Sequence, residues 1–187
     1  MAIVREVTLS TLAIDALEDY VCTLFLKFVN EDDMKFKTVC KNLKEILIAS
    51  VPLSLVNEVT YRLLRGLDNI VYTKVWCAME IVQQFVNAVV HPSVTELNFG
   101  PEFLHESLRG FDWNYIVIFV YRELENLNRL KLFRMSTDLD GLDFGRIGFP
   151  SSLEEFTFMY CCNDYVLETI AHMCENLKRL NVSKSRN

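Results

Sequence analysis

From residue 94 onward the sequence returns four times to one six-residue frame, with apolar residues at its first, fourth and sixth positions. Val94, Leu97 and Phe99 fill it first, then Leu127, Leu130 and Leu132, then Leu153, Phe156 and Phe158, and last Leu177, Leu180 and Val182. The units begin 33, 26 and 24 residues apart. A repeat of this size constrains the fold more than any other feature of the chain. A single strand-and-helix unit cannot bury its own apolar side and becomes stable only when neighbours stack on it. The stretches between units supply the return helices: Trp113 to Leu124 and Tyr165 to Cys174 have helical spacing, and an extra turn or helix over Phe103–Leu108 accounts for the long first interval.

The frame L-x-x-L-x-L at a spacing of roughly 20–29 residues is that of leucine-rich repeats. The expected fold class is α/β: an N-terminal helical region over residues 1–91, then a short leucine-rich-repeat solenoid over 92–187, with parallel strands lining a concave face and helices outside. With positions 4 and 6 pointing inward, the outward residues are Glu96 and Asn98, Arg129 and Lys131, Glu155 and Thr157, and Arg179 and Asn181. These are the candidate substrate-binding positions. Their charges alternate in sign, which suits a protein or peptide better than a polyanion. The chain stops directly after the fourth unit, so Leu177, Leu180 and Val182 are expected to form an open edge. That implies a truncated C-terminus, a fragment, or a cap supplied by a partner.

Ahead of the repeats the apolar period is that of helices. Leu9, Leu12, Ala13, Ala16, Leu17, Val21, Leu24, Phe25 and Phe28 mark a first amphipathic helix, ending near Asn30. Phe36, Val39, Cys40, Leu43, Ile46 and Leu47 mark a second. Pro52 opens a third, where its missing N–H costs nothing, and Gly66 is the expected terminator. A fourth is expected over Ile70–Val90, closed by His91-Pro92 because the residue before proline disfavours helical backbone.

The net charge of −6 argues against non-specific nucleic-acid binding. The longest strongly apolar run, Tyr115–Tyr121, is far shorter than the ~20 residues of a membrane-spanning helix. Residues 1–7 have no apolar core of a secretory signal. The six cysteines mostly lie in apolar runs, as reduced, buried residues of a cytoplasmic or nuclear protein.

The order of these elements resembles the repeat-type substrate receptors of elongin BC–cullin ubiquitin ligases, the Zyg and Zer group. Their BC box reads Thr/Ser-Leu-x-x-x-Cys-Leu-x-x-φ, and Thr8, Leu9, Ala13, Ile14 and Leu17 stand at its positions, with Ala13 in place of the usual Cys. Their cullin box reads φ-Pro-x-x-φ-x-x-x-φ, matched by Val51, Pro52, Leu55 and Val59. The resemblance implies a non-catalytic scaffold without cofactors. Thr8, Leu9, Leu12, Ala13, Ile14 and Leu17 would bind elongin C in an apolar groove. Val51, Pro52, Leu55 and Val59 would bind the cullin, and the repeats would hold the substrate protein or peptide. Residues 51–68 with Val75-Trp76 also resemble an F-box, and Leu167–Val182 its cysteine-containing repeats. In that family the partner is a Skp-type adaptor. A stand-alone repeat module unconnected with ubiquitin is the third reading.

Enzyme signatures are weak. His172 and Cys174, with Cys161 and Cys162 nearby, do not have the spacing of a tetrahedral zinc site. Gly141–Gly148 lacks the frame of a phosphate loop. No Ser/His/Asp or Cys/His arrangement stands out.

Overall fold

The computed structural model describes residues 8–29, 33–73, 79–99, 122–136, 148–159 and 162–183. Helix α1 (Leu9–Phe28) starts where Thr8, in extended backbone, accepts a hydrogen bond on its hydroxyl from the Thr11 amide at 3.2 Å. It is followed by α2 (Asp33–Ser50), a single 3-10 turn at Leu53–Leu55, α3 (Val56–Thr73) and α4 (Met79–Val89). Each turns one stripe inward: Ile14, Val21 and Phe25 from α1, Phe36, Cys40, Leu43 and Leu47 from α2, Val59, Leu63 and Leu67 from α3, Val82, Phe85 and Val89 from α4. Helix α1 lies along α3, and α2 along α4. The rings of Phe25, Phe36 and Phe85 meet where α1, α2 and α4 converge, with centroids 4.8–6.2 Å apart.

Two helix boundaries differ from the sequence expectation. Gly66 does not end α3; the helix runs on to Thr73. A Cβ at Gly66 would stand 2.9 Å from Cys22 Sγ and 3.0 Å from Glu18 Oε1, so glycine lets α1 approach α3 closely. Ile70 accordingly belongs to α3, and the helix expected over 70–90 is cut to Met79–Val89, with residues 74–78 outside the described set. The predicted segments 103–108, 113–121 and 141–147 also lie outside it.

The second half builds a parallel sheet of β1 (Glu96–Phe99), β2 (Leu132–Ser136), β3 (Glu155–Met159) and β4 (Arg179–Asn181), side by side in sequence order. Helix α5 (Asp164–Met173) connects β3 to β4, capped by the Asn163 side chain. The same turn precedes every strand. Val94, Leu130, Leu153 and Leu177 each donate a backbone hydrogen bond to the carbonyl three residues back, on His91, Leu127, Pro150 and Cys174, at 2.9–3.1 Å. Each strand is then joined to the next in one pattern. The carbonyl of Thr95 accepts from the amides of Lys131 and Leu132, that of Lys131 from Glu154 and Glu155, and that of Glu154 from Lys178 and Arg179.

This register corrects the second repeat. Leu97 pairs with Phe133 and Phe99 with Met135, so the unit is Leu130, Phe133 and Met135 rather than Leu127, Leu130 and Leu132. Its strand therefore turns Phe133 and Met135 into the core, both fully buried, and leaves Leu132 on the opposite face. The units then start at 94, 130, 153 and 177, and the last two intervals, 23 and 24 residues, become nearly equal.

The core runs without a break from the helices into the sheet. Its seam is Asn57 at the start of α3. The Asn57 side chain accepts from the amides of Thr95 (2.9 Å) and Glu96 (3.4 Å) and donates to the Thr95 hydroxyl (2.8 Å). Replacing Asn57 with alanine strands these part-buried groups. The expected cost is about 1–3 kcal/mol in a urea titration, and Asn57→Asp, which keeps the acceptor, is expected to lose less.

His91 closes α4 and lies buried against the helices. Its Nδ1 accepts from the Ser93 amide at 3.0 Å, so the neutral ring carries its proton on Nε2, which makes no hydrogen bond of good geometry. Burial lowers its pKa below the ordinary 6.5, and the Ile48 backbone offsets part of this. The unfolded chain then binds the proton more readily than the folded one. Stability from this residue is full above pH 6.5 and is lost as the pH falls from there through the folded pKa. Urea midpoints measured between neutral and mildly acidic pH are expected to fall in the wild type, and His91→Asn is expected to flatten that part of the profile.

Candidate functional site

Two surfaces among the described residues carry the predicted contact positions. The first is on α1. Both of its sides are apolar, which the sequence reading merged into one face. Ile14, at 5% exposure, belongs to the core with Val21 and Phe25. Leu9 (85% exposed) and Leu12 (54%) point outward in one stripe with Ala13, Ala16 and Tyr20, all exposed, and half-buried Leu17 at its border. Of the predicted adaptor residues, Thr8, Leu9, Leu12, Ala13 and Leu17 are therefore reachable, whereas Ile14 is not, because its side chain fills the space beneath the helix. Arg62 of α3 pairs with Asp15 and with Glu18 (3.2 Å), fixing which side of α1 faces in. Burial raises the pKa of Glu18, and Arg62 opposes it.

The predicted cullin residues divide in a similar way. Pro52 is exposed, Val51 and Leu55 are half-buried, and Val59 is a core residue. Leu53, which the motif leaves unassigned, is 69% exposed.

The second surface is the sheet face opposite the buried phenylalanines. Its rows follow from the register: Glu96, Leu132, Glu155 and Arg179 in one, Asn98, Arg134, Thr157 and Asn181 in the next. Six of the eight predicted substrate residues, Glu96, Asn98, Glu155, Thr157, Arg179 and Asn181, stand in these rows. Arg129 does not; it lies in the turn before β2, where Ser93, Ser152 and Asn176 stand in the other units. Lys131 precedes β2 and joins a flanking row with Thr95, Glu154 and Lys178. Arg134 escapes the sequence pattern because the frame read there begins three residues early.

Two carboxylates organise the far end of this face. Glu154 binds Lys178 at 2.7 Å and Lys131 at 3.0 Å, and these two hydrogen bonds hold its pKa down at about 2. Glu155 is hydrogen-bonded by Arg179 and lies 3.9 Å from Arg134. An open depression of about 560 Å³ lies among Arg134, Glu155, Thr157, Arg179 and Asn181. At the other end, a depression of about 270 Å³ is lined by Asn57, Glu58, Tyr61, Glu96 and Asn98. Leu180 on β4 is 48% exposed, with half-buried Leu177 and Val182 beside it.

Burial pushes the thiols of Cys40 and Cys174 up to about 12 and about 11, so both are protonated at neutral pH and poor nucleophiles. Among the described residues, no three His, Cys, Asp or Glu side chains are grouped to hold a metal, and no helix is long and apolar enough to cross a membrane. Comparison with known protein families, curated proteins and solved structures returns no match.

Proposed function

We propose that the protein is a non-catalytic substrate receptor of a cullin-RING ubiquitin ligase, with its four turn-and-strand units acting as leucine-rich repeats. The observation that carries this reading is the outward stripe of α1. A helix that buries one side and still offers Leu9, Leu12, Ala13, Ala16 and Tyr20 to solvent suits insertion into an apolar groove, the mode expected for elongin C. Pro52 and its neighbours would meet the cullin, and the exposed side chain of Leu53 adds to that contact. The repeat reading draws on the identical turn before each strand, the sequential parallel order and the 23- and 24-residue intervals. The protein then contributes proximity: it holds a substrate protein on its strand face within reach of a ubiquitin-charged enzyme. Such an assembly works in the cytoplasm or nucleus.

The F-box alternative draws less support from the geometry. Within residues 51–68, Val56, Val59, Leu63, Leu64 and Leu67 are core residues and not free for an adaptor, which leaves exposed Leu53 and half-buried Val51 and Leu55 to make the contact. The test is capture of the tagged full chain from cell lysate, with elongin B/C, cullins and Skp-type adaptors assayed by name. Elongin B/C with a cullin is the expected result. A Skp-type adaptor instead would select the F-box reading, and neither would leave only a repeat module unconnected with ubiquitin.

A further inference from the structure

The strand face is polarised along its length, and the polarity names a ligand chemistry. Over β2–β4, four cations surround two carboxylates: Lys131 and Lys178 share Glu154, and Arg134 and Arg179 share Glu155. One carboxylate cannot neutralise two cations, so each group keeps a net positive charge in a chain whose total is −6. The layering strengthens this. The four cationic side chains are 49–75% exposed, whereas Glu154 and Glu155 are 27% and 23% exposed beneath them. A partner approaching this end meets cations first. Over β1 the sign is reversed: Glu58 and Glu96 are exposed, and neither has an ion-pair partner among the described residues.

We propose that the β2–β4 end of this face binds an acidic segment of a partner protein, with one carboxylate seated between Arg134 and Arg179 over Thr157. This rests on the strand face being the substrate-holding surface. The Thr157 hydroxyl and Asn181 amide lie in the row of Arg134 and line the same depression, so they add neutral donors to two guanidinium forks. Neighbouring acidic residues meet Lys131 and Lys178. Adjacent strands lie ~4.8 Å apart, so a chain crossing from β4 to β1 comes within ~14 Å, four or five extended residues, of Glu96. Acidic residues are repelled there, and the segment's negative charge must be confined to one end. A nucleic-acid backbone, charged along its whole length, cannot meet that condition.

The test is fluorescence anisotropy on the full chain with three labelled probes. The first is a blocked Ser/Glu peptide with its glutamates at one end, the second a peptide of the same composition with the glutamates spread evenly, and the third a single-stranded oligonucleotide of similar length. The end-loaded peptide is expected to bind tightest, and more weakly as salt is raised. Arg134→Glu and Arg179→Glu are each expected to weaken it by about five-fold or more, and the double variant to abolish it. Equal binding of the two peptides, tighter binding of the oligonucleotide, no binding of the end-loaded peptide, or undiminished binding by the double variant overturns the proposal. Arg134→Gln with Arg179→Gln repeats the test if charge reversal lowers the melting temperature. Adaptor capture is scored on the same samples. Retained elongin B/C with no peptide binding sinks this inference alone, whereas peptide binding with neither elongin B/C nor a Skp-type adaptor captured sinks the ligase readings and leaves the acidic site standing.

Discussion

Under the proposed docking mode, Leu9→Glu is expected to leave the folded protein intact and to abolish capture of elongin B/C. The side chain is 85% exposed and fills no space in the core, so the change in unfolding free energy should stay within about 0.5 kcal/mol, the usual range for surface positions. In a helix-in-groove contact the same residue is the inserted anchor. Charging such an anchor typically costs 2 kcal/mol or more, about a 30-fold loss of affinity. Ile14→Glu provides the contrast. It lies five residues on, nearly opposite around the helix, and is buried at 5% exposure. A carboxylate placed there has no partner, and the expected loss exceeds about 4 kcal/mol, enough to unfold a marginal domain. Thermal melts and elongin capture measured on both variants separate the two roles. If Leu9→Glu melted as early as Ile14→Glu, α1 would be a purely structural helix and the docking proposal would be lost.

Phe156→Ala is the second large effect. Phe156 sits at the middle of the sheet, 1% exposed, and three rings converge on it. Phe133 stacks at 5.6 Å with an interplanar angle of 16°, Phe149 meets it edge-on at 5.2 Å, and Phe158 lies 5.6 Å away. Truncation leaves a void that the register of β2 and β3 prevents from collapsing, and about 3–5 kcal/mol should be lost. For a chain of this length that corresponds to a fall of roughly 6–20 °C in melting temperature. Phe156→Leu, which keeps most of the volume, should cost much less. A loss below about 1 kcal/mol for the alanine variant would show that β3 is not part of the cooperative core.

Much of the architecture is legible in the residues, and the parts that are not fail for identifiable reasons. The period of three and four announces α1, yet it cannot say which side faces in, because Leu9 and Ile14 are equally apolar and the helix is apolar on both sides. Arg62 of α3, pairing with Asp15 and Glu18, settles the choice, and nothing in the local sequence reveals a contact made 47 residues away. The second repeat contains two overlapping frames, since Leu127, Leu130 and Leu132 satisfy it as well as Leu130, Phe133 and Met135. Equal spacing to Leu153 and Leu177 is the discriminator the sequence offers; the earlier frame puts Arg129 on the strand face in place of Arg134. Gly66 shows the same ambiguity in another form. A glycine late in a helical pattern signals either an end or a close approach, and only the neighbouring helix decides. Asn57 carried no signal at all, because its hydrogen bonds to Thr95 span 38 residues.

That unannounced asparagine has a mechanical consequence. The α1 stripe and the strand face are joined by one continuous core and by a side chain that clasps the first strand directly, so among the described residues no hinge separates them. Under the proposed function, a substrate on the sheet cannot swing on a tether as it would at the end of a flexible linker. It is presented at a set angle and reach from whatever holds α1. Selectivity among the lysines of a bound substrate then becomes a matter of rigid leverage, with Asn57 at the fulcrum.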